Sequence, residues 1–206
     1  QACDDFEVDL LLLGAIKREN VLKFYLGSIA RKITRRAKCS VMLLINPSVE
    51  RHPCEHIVVN GFDSPQTKDT IEAAFIVAKA FGTPKITLVE EISRSKVAVS
   101  VDDDRSLRKA TLRKERLRRQ EQTRVRDVVK KLPAEIKKDV NWVTQSIFGR
   151  RGYSIGHYAR IVRSDLLIMN AQENSSFFDR FFTRDLDHIL AELPTDVLIV
   201  NSKQHA

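Results

Sequence analysis

The sequence lacks the usual cross-links of a small protein. Three cysteines in 206 residues, Cys3, Cys39 and Cys54, are odd in number and form no CxxC. That excludes a disulfide scaffold and a cysteine zinc site, and predicts reduced thiols in a cytosolic chain. The five histidines (His52, His56, His157, His188, His205) show no ligand spacing. No run approaches the roughly 18–20 apolar residues of a membrane span. The most apolar early stretch, Val8 to Ile16, is broken by Asp9 and Gly14. No secretory signal is visible. The first residue is Gln1 rather than Met, so the expectation is a fragment of a longer protein.

What is present is enough apolar material for a core. The chain is 43% apolar and 30% charged, which argues against global disorder and for one generous domain or a domain plus part of another. The net charge of +8 has one source. Between Arg105 and Lys131 stand twelve Lys/Arg against Glu115, Glu121 and Asp127, a net +9, so the rest of the chain sums to −1. Leu107, Ala110, Leu117, Val125, Val128 and Leu132 fall at helical spacings within this run, and Asp102, Asp103 and Asp104 precede it as a helix start would require. The segment predicts a long basic amphipathic helix. It is either the solvated outer face of a helix covering a sheet or a surface for an anionic membrane or acidic partner. The run contains no aromatic residue to stack on bases, which argues against nucleic acid.

Along the chain, Val8–Leu13 reads as a buried strand ending at Gly14, Ser28–Ala37 as a helix, and Ser40–Ile45 as a strand closed by Pro47. Residues 48–54 read as a linker. Then follow a strand (His56–Gly61), a helix (Thr67–Phe81, stopped by Gly82-Thr83-Pro84), a strand (Lys85–Glu90) and the basic helix. A strand (Asn141–Phe148), a helix capped by Ser154 and running to Val162, a strand (Asp165–Met169), a helix (Phe178–Leu190) and a strand (Asp196–Asn201) complete the chain. This alternation predicts an α/β fold with a parallel sheet covered on both faces. An internal repeat is superposed on it. Asp9–Gly14 matches Asp165–Asn170 at an offset of 156, and at the same offset Ser40–Asn46 matches Asp196–Ser202. Two copies of one unit are expected.

Asp9-Leu10-Leu11-Leu12-Leu13-Gly14, Leu26-Gly27-Ser28-Ile29-Ala30 and Lys38-Cys39-Ser40-Val41-Met42-Leu43-Leu44 together resemble the closing third of a universal stress protein domain. The family pattern there is a strand ending in glycine, G-x2-G-x9-G-(S/T), and a final strand. Here the spacing runs Gly14, Lys17, Gly27-Ser28, with Lys17 replacing the second glycine. Ile57–Glu90, with Asp63-Ser64 after the strand and Ala73-Ala74 to Gly82 on the helix, resembles the opening of the same domain, and Tyr158-Ala159 and Ser164–Leu167 also fit. The resemblance implies a three-layer α/β/α fold of the adenine nucleotide α-hydrolase-like kind with strand order 3-2-1-4-5. Its domain reading is the C-terminal half of a first domain in 1–47, a linker in 48–54, and a complete second domain in 55–203 carrying the basic helix at 105–131.

The resemblance also implies a site. One branch of the family binds adenine nucleotides, whereas the other is nucleotide-free and regulatory. Glycine lets phosphates approach main-chain N–H groups, and a helix N-terminus adds a positive dipole end. The candidates around ATP or AMP are therefore Gly14, Gly27 and Ser28, with Lys17 as an extra cation. In the competing reading, Gly27 ends a loop, Ser28 caps a helix and Lys17 fills the phosphate space. In the second copy Asn170, Glu173, Thr183 and Arg184 occupy the equivalent positions, and Glu173 would repel phosphate, so no nucleotide is expected there.

Gly152-Tyr153-Ser154-Ile155-Gly156 matches G-x-S-x-G, but Gly149-Arg150-Arg151 separate it from the preceding strand, so a nucleophile elbow is not expected. Phe177, Phe178, Phe181 and Phe182 read as core or interdomain packing. The expected function is a non-enzymatic regulatory and dimerisation module. Its setting would be the cytosolic region of a membrane transporter (a cation/proton antiporter or amino-acid permease) at the cytoplasmic face, self-associating through its last strands, Ser40–Ile45 beside Asp196–Asn201. The alternatives are a stand-alone ATP- or AMP-binding stress protein and RNA or anionic-membrane binding through the basic helix. Catalysis is not expected, because no acid, base and nucleophile stand in a recognisable arrangement.

Overall fold

Apolar runs of five residues bounded by polar turns are too short for helices and long enough to cross a sheet. In the structure, a computed structural model that describes residues 3, 6–17, 24–45, 47, 50, 52–97, 103–150, 152–171, 189–190 and 193–202, they do become strands. The elements are β1 (Leu10–Gly14), β2 (Ile16–Lys17), β3 (Phe24–Tyr25), α1 (Ser28–Arg36), β4 (Ser40–Leu44), β5 (His56–Asn60), α2 (Thr67–Phe81) and β6 (Lys85–Ser93), then α3 (Asp104–Lys131), α4 (Ala134–Lys137), β7 (Asn141–Gly149), α5 (Tyr153–Ile161), β8 (Leu166–Asn170) and β9 (Asp196–Val200). Seven strands form one sheet in the order β1-β4-β9-β8-β5-β6-β7. Every neighbouring pair is parallel except β4 and β9. From β5 onward the strands lie in the order 3-2-1-4-5, as the resemblance implies.

The exception has a symmetry. β1 pairs with β4 from Leu10↔Ser40 to Gly14↔Leu44, and β8 pairs with β9 from Leu166↔Asp196 to Asn170↔Val200. The two registers coincide at the offset of 156. Between the pairs, Met42 faces Leu198, flanked by Val41↔Ile199 and Leu43↔Val197, so a local two-fold axis passes between Met42 and Leu198. Side chains obey the same axis. Ile45 N donates to Asp196 Oδ1 at 2.8 Å, and its mate Asn201 N donates to Ser40 Oγ at 3.2 Å. Asn201 Nδ2 adds a bond to the Ala37 carbonyl at 3.0 Å.

Alternate residues of each strand feed two cores. On one face Val58, Val89, Leu167, Val197 and Ile199 meet α5 (Ile155, Ala159), Ile189, Leu190 and Leu26. On the other, Ile57, Val59, Ile86, Leu88, Leu166, Ile168 and Leu198 meet α2 (Ile71, Ala74, Phe75, Ala78) and α3 (Val125, Val129). This second layer does not extend over β1. Leu10 and Leu12 are 45% and 57% exposed, whereas their counterparts Leu166 and Ile168 are 2% and 0%.

Several local expectations are corrected. A two-stranded antiparallel hairpin, β2–β3 (Ile16↔Tyr25, Lys17↔Phe24), was not predicted; strands of two residues carry too little pattern to read. The predicted strand 85–90 continues to Ser93 because all nine of its residues pair with β7. Most of the predicted helix Phe178–Leu190, with Phe177, Phe178, Phe181 and Phe182, lies outside the described residues. Neither predicted serine cap forms: the N-caps of α1 and α5 are Gly27 and Gly152, without a side-chain cap. The start of α5 is held from across the sheet instead. Glu91, buried at the end of β6, accepts from Gly152 N at 2.9 Å and from Ile155 N at 2.8 Å, placing a carboxylate at the helix's positive end. Glu91→Ala would leave two buried N–H donors unsatisfied and is expected to lower the unfolding free energy by about 2 kcal/mol. Urea unfolding followed by circular dichroism measures this, with Glu91→Gln losing less because one acceptor oxygen remains.

Candidate functional site

The predicted phosphate loop follows β1. The β2–β3 hairpin folds the chain back on itself, so that Gly14, two residues before it, and Gly27, two residues after it, come to the same C-terminal edge of the sheet. Lys17 lies in the hairpin and Ser28 opens α1. Gly14, Gly27 and Ser28 are exposed, and the space where a Cβ would project from either glycine is open. The first turn of α1 holds no acidic residue and receives no side-chain cap, which leaves the terminal N–H groups of such a helix open to an anion. Arg31 Nε, rather than reaching into this space, donates to the Leu26 carbonyl at 2.9 Å. These residues fit a phosphate group. The adenine side of such a site would need a strand and loop beside β1, and among the described residues β1 has only β4 as a neighbour.

In the second half, the turn after β5 is closed. Gly61 continues β5 by donating to the Val89 carbonyl at 2.8 Å, and a Cβ there would come within 3.3 Å of the Val125 side chain on α3. From the same turn of α3, Arg124 donates to the Gly61 carbonyl, bonds Glu121 Oε2 at 2.9 Å and lies 3.7 Å from Asp63 Oδ1. The acidic residue expected after the strand thus meets a cation of the protein itself. Of the positions expected to replace the phosphate motif here, Asn170 ends β8, while Glu173, Thr183 and Arg184 lie outside the described residues. The sequence did not single out Arg124 among twelve cations. Its one distinguishing mark was its place beside Val125, on the inward stripe of the helix.

Next to Arg124 sits Glu90, 1% exposed. Its Oε2 accepts from Ser146 Oγ at 2.8 Å, and its Oε1 has no hydrogen-bond partner among the described residues. A separate cavity of about 740 Å³ opens where β8 and β9 begin, with Met42, Ile45, His52, Cys54, Asp165 and Asp196 in its wall. Burial raises the Cys54 thiol, and burial and then Asp165 raise the Asp196 carboxyl, against the lowering effect of the Ile45 N–H. No group of three or more His, Cys, Asp or Glu among the described residues could hold a metal ion. The G-x-S-x-G match is a packing feature. A Cβ on Gly149 would stand 2.0 Å from Ser154 Oγ, and one on Gly156 would stand 2.7 Å from Ile189 Cδ1.

Burial is the main cause raising the Glu90 carboxyl above the ordinary 4.5, with Ser146 and Arg124 opposing it and Glu121 reinforcing it. A carboxyl raised in the folded state binds its proton more tightly there. Its contribution to stability is therefore full in acid and lost as the pH rises through the folded value. Glu90→Gln is expected to raise the urea midpoint at pH 7–8, with the gain shrinking as the pH falls towards 4.5. A variant less stable at pH 7 would show that attraction to Arg124 outweighs burial.

Residues 1–44 match the family model described as the universal stress protein family. Among solved structures, the chain is similar to a universal stress protein from Archaeoglobus fulgidus (13% identity, TM-score 0.62, covering 100% of this chain and 64% of that one). It is similar also to a putative universal stress protein from Pseudomonas aeruginosa (13% identity, TM-score 0.64, covering 97% and 65%). A third, a universal stress protein from Lactobacillus plantarum, is matched at 14% identity with a TM-score of 0.53, covering 73% of this chain and 99% of that one. The chain spans just under two thirds of the length of the first two. No curated protein matches it. Residues 1–44 thus match the universal stress protein family model, and the described chain has the fold of solved universal stress proteins.

Proposed function

We propose that this protein is a non-enzymatic regulatory module of universal stress protein type, built of a partial unit (1–47) and a complete unit (55–203) joined through 48–54. The observation that carries the reading is the antiparallel junction of β4 and β9, symmetric about Met42 and Leu198. It makes one continuous sheet of the two units. On this reading the last-strand pairing that the resemblance implies is the pairing of β4 with β9, and it would couple a displacement of either last strand to the other. The closed turn at Arg124 favours a purely structural second unit.

The setting we propose is the cytoplasmic face of a membrane, as the regulatory region of a transporter of the cation/proton antiporter or amino-acid permease kind. No helix among the described residues is long and apolar enough to cross a membrane, so the membrane-embedded part would belong elsewhere in a longer chain. A second reading, ATP or AMP binding at the first unit, is favoured by the uncapped, acid-free first turn of α1 beside Gly14 and Gly27. When bound, the nucleotide would supply negative charge to that edge. Gly27, Ser28 and the following N–H groups would hold its phosphates, with Lys17 on the hairpin as the added cation.

Isothermal titration with ATP and magnesium separates the readings. At most one site per chain is expected. None supports the nucleotide-free module, and one site abolished by Gly27→Glu supports the second reading. Two sites would overturn the closed second unit, and ATP turnover above the uncatalysed rate would overturn the non-enzymatic assignment.

A further inference from the structure

The 28 residues of α3 make a helix about 42 Å long, begun by a capping box in which Asp103 Oδ1 accepts from Ser106 N at 2.7 Å and Ser106 Oγ accepts from Asp103 N at 3.1 Å. Its inward stripe is taken up by the protein. Ala110, Val125 and Val129 are buried, Arg124 is engaged at Gly61, and Arg118 lies 6.0 Å over the Phe148 ring while pairing with Glu115 at 3.1 Å. The opposite stripe is different. Arg105, Arg108, Lys109, Arg116, Arg119 and Arg126 recur at helical spacings of three, four and seven, and all are exposed. None of the six is in an ion pair among the described residues. Leu112, on the same stripe, is 70% exposed. The stripe's acid Asp127 is paired with Lys130 at 3.2 Å. On α2, which packs on the same side of the sheet, Lys68 and Lys79 balance Asp69 and Glu72, so that helix adds no net negative charge beside the row.

We propose that the outward face of α3 docks on an anionic lipid bilayer. A straight, convex row of cations matches a flat array of negative headgroups, each Lys or Arg near such a surface contributing about 1 kcal/mol. Leu112 reaches the headgroup layer from the middle of the row. A single-stranded nucleic acid would instead need a groove and stacking rings, and the row offers neither. Because the apolar stripe is already buried in the protein, the attachment is electrostatic and peripheral, and hence sensitive to salt. The proposal is independent of nucleotide binding, which involves other residues.

The test is co-sedimentation of the 206-residue chain with vesicles of phosphatidylcholine alone or with 30% phosphatidylserine, the salt being varied. We expect at least tenfold stronger partitioning onto the anionic vesicles at low salt, and at least a tenfold loss on moving to several times physiological salt. The triple variants Arg108→Glu/Arg116→Glu/Arg119→Glu and Arg108→Gln/Arg116→Gln/Arg119→Gln should lose the phosphatidylserine-dependent part, with wild-type far-ultraviolet circular dichroism confirming their fold. Equal binding to neutral vesicles, no binding at low salt, or full binding by a folded triple variant would overturn the proposal. So would tighter binding of the chain to an RNA of matched negative charge than to the anionic vesicles, which would assign the face to nucleic acid.

Discussion

The antiparallel contact of β4 and β9 is the constraint on which the rest of the structure depends. A parallel sheet grows by crossover connections, and each crossover keeps the strand direction fixed. Direction reverses at one place in this sheet, between two strands that end equivalent runs of sequence. Because the reversal falls on a two-fold axis, the C-terminal edge of β1 and β4 lies beside the N-terminal edge of β8 and β9. The phosphate-loop candidate and the cavity walled by Asp165 and Asp196 consequently share one end of the sheet, on opposite faces. The axis relates backbone but not chemistry. Where Ser40 accepts with a hydroxyl, its mate Asp196 accepts with a carboxyl that burial has lifted, so the two halves of the seam respond differently to protons.

Helix α3 makes the two ends of the sheet unlike. Its inward side chains shut the turn after β5, through Arg124 on Gly61 and Val125 against it, and place a cation beside the buried Glu90. The helix as a whole accounts for the protein's net charge, and six of its twelve cations stand in its outward row. One element thus removes a potential small-ligand site and presents an extended charged surface, which is why the +8 of the whole chain describes a single helix rather than the protein at large.

Much of this was legible in the sequence, for physical reasons that vary with the element. β1, β4, β8 and β9 were readable because each is a short apolar run and each is echoed at an offset of 156; their order followed from the family resemblance. The helix 104–131 was readable from its apolar spacing and its acidic start, although Leu107, placed on the buried stripe, is exposed, and the buried Val129 was not chosen. What stayed hidden was non-local. Glu91 caps a helix some sixty residues further on, and Arg124 closes a turn that precedes it by as many, and no spacing within either segment signals such a contact. The serine positions expected to cap helices were assigned by local rules, and a buried carboxylate from a neighbouring strand took the place of one of them.

The outer margin of β1 has a consequence for the reach of the sheet. Leu10-Leu11-Leu12-Leu13-Gly14 has no lysine, proline or bulge to blunt it, and among the described residues it has β4 alone as a neighbour. The backbone groups along that margin are therefore placed for the addition of one more strand, and the seven-stranded layer can be lengthened there without disturbing the seam at its middle.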